Sequence, residues 1–164
     1  MITLRFVEGG GWDSKVIRWA TRCPWSHVEY MWSDTETLGA MLQGGVAIRN
    51  LTDKNYKNIT ATEIWGIECT ADQEKQFRIF LFSQTGKPYD WRAIVSFVLG
   101  SRIWTKVGAW FCSKIAADGL EIIDLLKLPS NIPVSLITPR DVWMEIAALS
   151  ITRLTVKLDF KRLK

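Results

Sequence analysis

Period-two alternation of apolar and polar residues marks the first seventy positions of this chain and returns near its end. A side chain repeat of two belongs to a strand with one face in the core and one face out. Residues 2–7 alternate and read as a short strand, broken at Gly9-Gly10-Gly11. Residues 26–33 alternate again, with His27, Glu29 and Met31 on one face and Val28, Tyr30 and Trp32 on the other. Residues 38–42 and 45–49 read as one further strand interrupted at Gly44-Gly45, 50–62 as polar loop, and 63–69 as another strand. Helix signals fill the rest. Asp13 or Ser14 is placed to cap a helix that runs to about Arg22, before Cys23-Pro24. Thr70 with Gln73 opens a helix that stops at Gly86-Lys87-Pro88. Asp90 reads as the N-cap of another, and Cys112 opens a helix through about Gly119. Thr138-Pro139-Arg140-Asp141 opens a last one, with Pro at its favoured first position. The fold class is therefore α+β: an antiparallel sheet with helices packed on it.

At 164 residues and 48% apolar composition the chain is long enough for one compact domain with a proper core. The expected division is a domain over 1–150 and a basic C-terminal strand over 151–164, packed on the domain or on a partner. In that last segment Leu154, Val156, Leu158 and Phe160 alternate with Arg153, Thr155, Lys157, Asp159 and Lys161. Five basic residues stand there against Asp159 alone, so the whole net charge of +4 is C-terminal. A nucleic-acid binder would carry a basic stripe on the folded domain, and none is expected here. A short tail that docks on an acidic partner or surface fits at least as well. The longest apolar stretch, about 93–111, contains Arg102 and Lys106 and does not read as a membrane span. The first residues lack the charged head, apolar run and small-residue cleavage site of a signal peptide, so a cytoplasmic site of synthesis is expected.

Nine Trp is high for this length, and some should line a groove or an interface. The three cysteines, Cys23, Cys69 and Cys112, form neither a CxxC nor a Cys/His metal pattern. No zinc site, no metal and no organic cofactor are expected, and no disulfide framework. Cys23 and Cys69 read as small core residues.

One constellation can carry chemistry. Cys112 stands in Trp110-Phe111-Cys112-Ser113 at a helix start, where unpaired backbone N–H groups and the helix dipole favour thiolate. Lys114 would add positive charge nearby. A thiol nucleophile needs a base, and His27 is the single histidine. Glu29 leaves the same strand face and is the candidate orienter of the imidazole. Each of these residues also has a plainer reading, as a packed thiol, a structural histidine and a surface carboxylate.

The motifs, taken in order, resemble a known family. They are Ser26-His27-Val28-Glu29, Leu38-Gly39-Ala40, Gly44-Gly45-Val46 with Arg49, Gly86-Lys87-Pro88-Tyr89-Asp90-Trp91, Trp110-Phe111-Cys112-Ser113 and Thr138-Pro139-Arg140-Asp141. The order resembles the circularly permuted NlpC-type, YiiX-like branch of the papain-like cysteine peptidases and amidases, in phage-like form, over about residues 5–145. The resemblance implies a permuted papain-like fold in which the His strand precedes the Cys helix. It implies Cys112 as nucleophile, His27 as general base and a third polar residue. Some relatives take that third residue from the neighbouring strand, at a position that falls here near Gly39, which cannot serve. Glu29 is then the candidate and Gln43 the reserve. Relatives often continue Cys-Ser-Glu, whereas this chain has Cys112-Ser113-Lys114. Tyr89, Trp91 and Trp110 flank the motifs as candidate walls of a substrate cleft, with core packing as the alternative. The implied activity is amide hydrolysis, with cell-wall peptides as substrate and phage tail proteins as partners of the basic C-terminus in a virion. A docking subunit of such an assembly with a vestigial site, and a lipid amide or acyl hydrolase, are the alternatives.

Overall fold

The computed structural model describes residues 1–99, 108–127, 136–148 and 153–154. The elements run β1 (Ile2–Gly9), α1 (Trp12–Thr21), β2 (His27–Met31), β3 (Glu36–Met41), β4 (Gly45–Asn50), a 3-10 turn (Lys54–Tyr56), β5 (Ile59–Ile67), α2 (Ala71–Ser83), α3 (Arg92–Leu99), α4 (Cys112–Ile122), α5 (Pro139–Ala148) and a two-residue β6 (Arg153–Leu154). The strands form one sheet in the order β4-β3-β2-β1-β5-β6. Every neighbouring pair is antiparallel. The α+β class expected from the alternation is the one observed.

β1 is central because it pairs on both edges. Leu4 lies opposite Tyr30 on β2 and Trp65 on β5, and Phe6 lies opposite Val28 and Glu63. One face of the sheet presents Ile2, Leu4, Phe6, Val28, Tyr30, Leu38 and Ala40, all buried. Phe77 and Leu81 of α2 and Ile115, Ala116 and Leu120 of α4 close over them in a single core. Full burial of each such large side chain is worth about 1.5–3 kcal/mol, so this face fixes the strand register. The opposite face is covered at its centre by Tyr56 of the 3-10 turn, which buries Arg5 and Glu29 completely or nearly so.

Three local readings change. α1 starts two or three residues early: its N-cap is Gly11, with no side-chain cap, and Asp13 sits inside the first turn. Residues 38–49 form a hairpin of two strands, closed by the guanidinium of Arg49. Its Nη1 donates to Gly39 O and Ala47 O, and its Nη2 to Gln43 O and Gly45 O, at 2.8–3.3 Å. The segment 50–62 is not plain loop, since it holds the 3-10 turn and the start of β5. The C-terminal strand reaches the sheet at Arg153–Leu154, paired with Trp65 and Ile64, and its continuation over 155–164 lies outside the described residues. Elsewhere the local chemistry acts as read. Thr70 and Gln73 form a complete capping box on α2, and Asp90 accepts from Arg92 N ahead of α3. No helix among the described residues is long and apolar enough to cross a membrane.

Candidate active site

Backbone stitching brings the sequence motifs together. Val46 N donates to Lys87 O and Gly86 N donates to Val46 O, so β4 holds the segment after α2. Gly45 makes this possible: its φ is +61°, and a Cβ there would lie 2.2 Å from Lys87 O. On its other side the same segment holds the approach to α4. Trp110 N donates to Pro88 O, and Asp90 N donates to Trp110 O at 2.8 Å. The chain then enters α4 through Phe111, an extended N-cap, and Cys112 is the first helical residue. Ser113 Oγ donates to Ile137 O at 2.7 Å, which ties the helix start to the segment ahead of α5. Thr138 and Asp141 cap that segment reciprocally, and Arg140 reaches back to Thr21 O at the end of α1.

β2 and β3 are paired at Tyr30–Leu38 and Met31–Thr37. Beside the other end of β2 sits the start of α4, and there Cys112 meets His27. The two side chains hydrogen-bond, and the backbone N–H groups of Val28 and Ser113 also point at the sulfur. Burial alone would push the thiol up. The positive charge and hydrogen bond of His27, then the two backbone donors, more than offset it and lower the Cys112 pKa. The converse holds for His27. Burial would lower it, but the negative charge and hydrogen bond of Cys112, followed by those of Glu29, raise it to about 10. Both shifts favour one state, a thiolate beside an imidazolium.

The imidazole is held from behind. Its Nε2 lies 3.3 Å from Glu29 Oε2, which leaves Nδ1 for the thiol. Glu29 is 2% exposed and is itself fixed on both oxygens. Arg5 Nη1 donates to Oε1 at 2.6 Å, and Tyr56 OH donates to Oε2 at 2.9 Å. Thr37 Oγ1 shares a 2.6 Å hydrogen bond with Tyr56 OH. Burial raises the Tyr56 pKa and the Glu29 charge adds to it, so the phenol keeps its proton and remains a donor. For Glu29, burial acts upward, but the hydrogen bond and charge of His27, then Arg5 and Tyr56, bring its pKa below the usual carboxylate value. A carboxylate so held fixes the orientation of the ring and favours its charged form.

Nothing in the sequence patterns singled out Arg5, Tyr56 or Thr37. Arg5 stands as one charge inside Ile2-Thr3-Leu4-Arg5-Phe6-Val7, and the strand register brings it opposite Glu29. A full charge in an otherwise apolar central strand was the available signal, because such a charge needs a partner.

His27 opens on a cleft of about 290 Å³ between the Gly9–Gly11 turn, α1, the β3–β4 hairpin and the 3-10 turn. Tyr89 lines it, together with Asp13, Ser14, Gln43, Lys54, Asn55 and Asn58. Burial raises the Tyr89 pKa well above its ordinary value, and the nearby charges of Cys112, Asp13 and Asp90 act the same way. Cys112 is only 3% exposed and is not itself among the residues that line the cleft; it reaches the cleft through its contact with His27. Trp110 does not line the cleft. It is buried, with Phe80 edge-on at 5.8 Å and the Lys114 ammonium 3.9 Å from its ring centroid. Trp91 is exposed and is not among the lining residues either. Gln43 lines the cleft at the hairpin tip, whereas Glu29 is the residue in contact with His27. Lys114 pairs with Asp118 at 2.6 Å.

No protein-family model and no curated protein matches the chain. Among solved structures the fold is similar to that of the metalloprotein yiiX from Escherichia coli O157:H7, DUF1105. The TM-score is 0.60 over 86% of this chain and 89% of that one, at 16% sequence identity. The chain therefore has a YiiX-like α+β fold, and at this identity the likeness extends to the fold alone. The residues here do not suit a metal ion. Among the described residues no three His, Cys, Asp or Glu side chains are grouped for one. Glu29, the carboxylate in contact with His27, already faces a guanidinium at 2.6 Å, which would oppose a further cation.

Proposed function

We propose that this chain is a cysteine hydrolase of the permuted papain-like, NlpC-type kind, which cleaves amide bonds by acyl transfer from Cys112 to water. The observation that carries the reading is the continuous chain Arg5–Glu29–His27–Cys112, in which a buried carboxylate orients an imidazole against a thiol at a helix N-terminus. Plain packing does not account for it. A carboxylate and a guanidinium taken fully into a core are costly unless their geometry serves something.

The chemistry follows from the charges. Thiolate Cys112 attacks the amide carbonyl carbon. Backbone N–H groups in the first turn of α4, unpaired within the helix, are placed to stabilise the developing oxyanion. The imidazolium of His27 gives its proton to the leaving amine, and the C–N bond breaks to leave a thioester on Cys112. Neutral His27 then takes a proton from water as it attacks the thioester, and the carboxylic acid departs with the thiolate restored. Glu29, held ionised by Arg5 and Tyr56, stabilises the charged imidazole in both halves.

The polar lining of the cleft, with Ser14, Gln43, Asn55 and Asn58, suits a peptide better than an acyl chain. Cell-wall peptides are therefore the proposed substrate class, in keeping with the sequence resemblance. The test is release of new amino groups from peptidoglycan fragments, followed by amine labelling and mass spectrometry. The wild type should release them, while Cys112→Ala and His27→Ala should not. Equal release by Cys112→Ala, or no cleavage of any peptide amide by the wild type, would rule the reading out.

A further inference from the structure

Helix α1 has two faces with different surroundings. Its inner face supplies Asp13, Ser14 and Ile17 to the cleft. On its outer face Trp12 and Trp19 are 72% and 73% exposed, the most exposed large apolar side chains among the described residues. They lie seven positions apart, two helical turns, and so stand one above the other. Lys15 and Arg22 are exposed as well. At 3.6 residues per turn Trp12, Lys15 and Trp19 fall within an arc of about 60°, and Arg22 follows them as the left-handed C-cap of the helix. No acidic residue lies on that arc. Asp13 is turned to the cleft, and Glu8 is paired with Arg18 on the flank. α3 packs alongside α1 and opens on a further exposed pair, Trp91 and Arg92.

Single exposed apolar residues need no explanation, but two indoles in register with two cations form a pattern. Indole with Lys or Arg is the composition that sits at a lipid headgroup boundary: the ring enters the apolar edge and the cation meets lipid phosphate. A glycan would ask for something else, a concave subsite with neutral hydrogen-bonding groups beside the rings. This face is a convex helix whose polar groups are cations.

We propose that the Trp12–Lys15–Trp19–Arg22 face of α1 docks the protein on an anionic lipid surface. One helix diameter, about 10–12 Å, then separates that surface from the cleft. The hydrolase would meet amides presented at a membrane rather than in free solution. The docking face does not depend on the thiol chemistry, and Cys112→Ala should bind as the wild type does.

The test is co-sedimentation of the full chain with phosphatidylglycerol-containing vesicles and with pure phosphatidylcholine vesicles. Trp12→Ala/Trp19→Ala and Lys15→Glu/Arg22→Glu are compared, with thermal melts to show that each variant stays folded. The wild type should bind the anionic vesicles, more weakly as salt rises. Each double variant should lose at least about tenfold in partitioning. No binding by the wild type, or equal binding to both vesicle types, overturns the proposal. Undiminished binding by Trp12→Ala/Trp19→Ala also overturns it and moves the contact to the basic C-terminal segment. Capture by murein sacculi with no vesicle binding would assign the face to glycan instead.

Discussion

His27→Ala should return Cys112 to an ordinary or higher pKa, and the size of the change follows from what surrounds the sulfur. Burial pushes the thiol up, while His27 provides the two largest effects in the other direction, its charge and its hydrogen bond. Without the ring, only the Val28 and Ser113 N–H groups oppose burial. A thiol at its ordinary pKa of about 8.5 is about 3% ionised near neutral pH. Alkylation proceeds through the thiolate, so labelling of Cys112 at neutral pH should fall about thirtyfold. The assay is iodoacetamide labelling from about pH 5 to about pH 10, read by mass spectrometry at the peptide that carries Cys112. Cys112→Ala supplies the background from Cys23 and Cys69. Cys112 is only 3% exposed, so access slows the absolute rate in every variant. Access does not set the inflection of the pH profile, and the inflection is what is read. A wild-type inflection near 8.5, or one that His27→Ala leaves in place, would refute the assembled pair.

Glu29→Gln should lower the His27 pKa from about 10, because it removes one of the charges that raise it. Since activity needs the imidazolium, the alkaline limb of the pH–rate profile should move to lower pH. The same variant leaves Arg5 facing a neutral amide inside the core, and urea unfolding should show a loss of about 3 kcal/mol, the low end for a broken buried pair, because Gln keeps an acceptor oxygen. Gly39→Ala should cost about 1–3 kcal/mol by overpacking and also slow Cys112 labelling. A Cβ at 39 would lie 2.9 Å from Glu29 Cβ, which has no flexible end to move. A Gly39→Ala protein with unchanged melting and labelling would show that the slot has slack.

The parts of the site visible in sequence were those set by local rules. A period of two put His27 and Glu29 on one face, and the helix start put Cys112 where backbone donors are unpaired. Thr70–Gln73 and Thr138–Asp141 acted through contacts within four residues, and both formed as read. What sequence did not show depends on register and on distant loops. Arg5 looked like the outward residue of a half-buried strand and became the most deeply buried charge, because Tyr56 closes over that face. The loop reading of 50–62 hid Tyr56 itself. Trp110 stands two residues before Cys112 in sequence, yet the bridge to Tyr89 holds it in the core.

Gly39 and Glu29 together explain how this chain sets a carboxylate beside His27. Continuing the β2–β3 register past Tyr30–Leu38 places Glu29 opposite Gly39, and the two compete for one space. A carboxylate can enter that space from either strand, but a side chain from both cannot fit. Glycine at 39 is therefore the condition for a carboxylate at 29. Moving the carboxylate to β2 also brings it opposite Arg5 on β1 and beneath Tyr56. A charge supplied from β3 would lie one strand farther from Arg5. The buried guanidinium, the glycine and the carboxylate are thus one coupled choice, and a substitution at any one of the three should be felt first at His27.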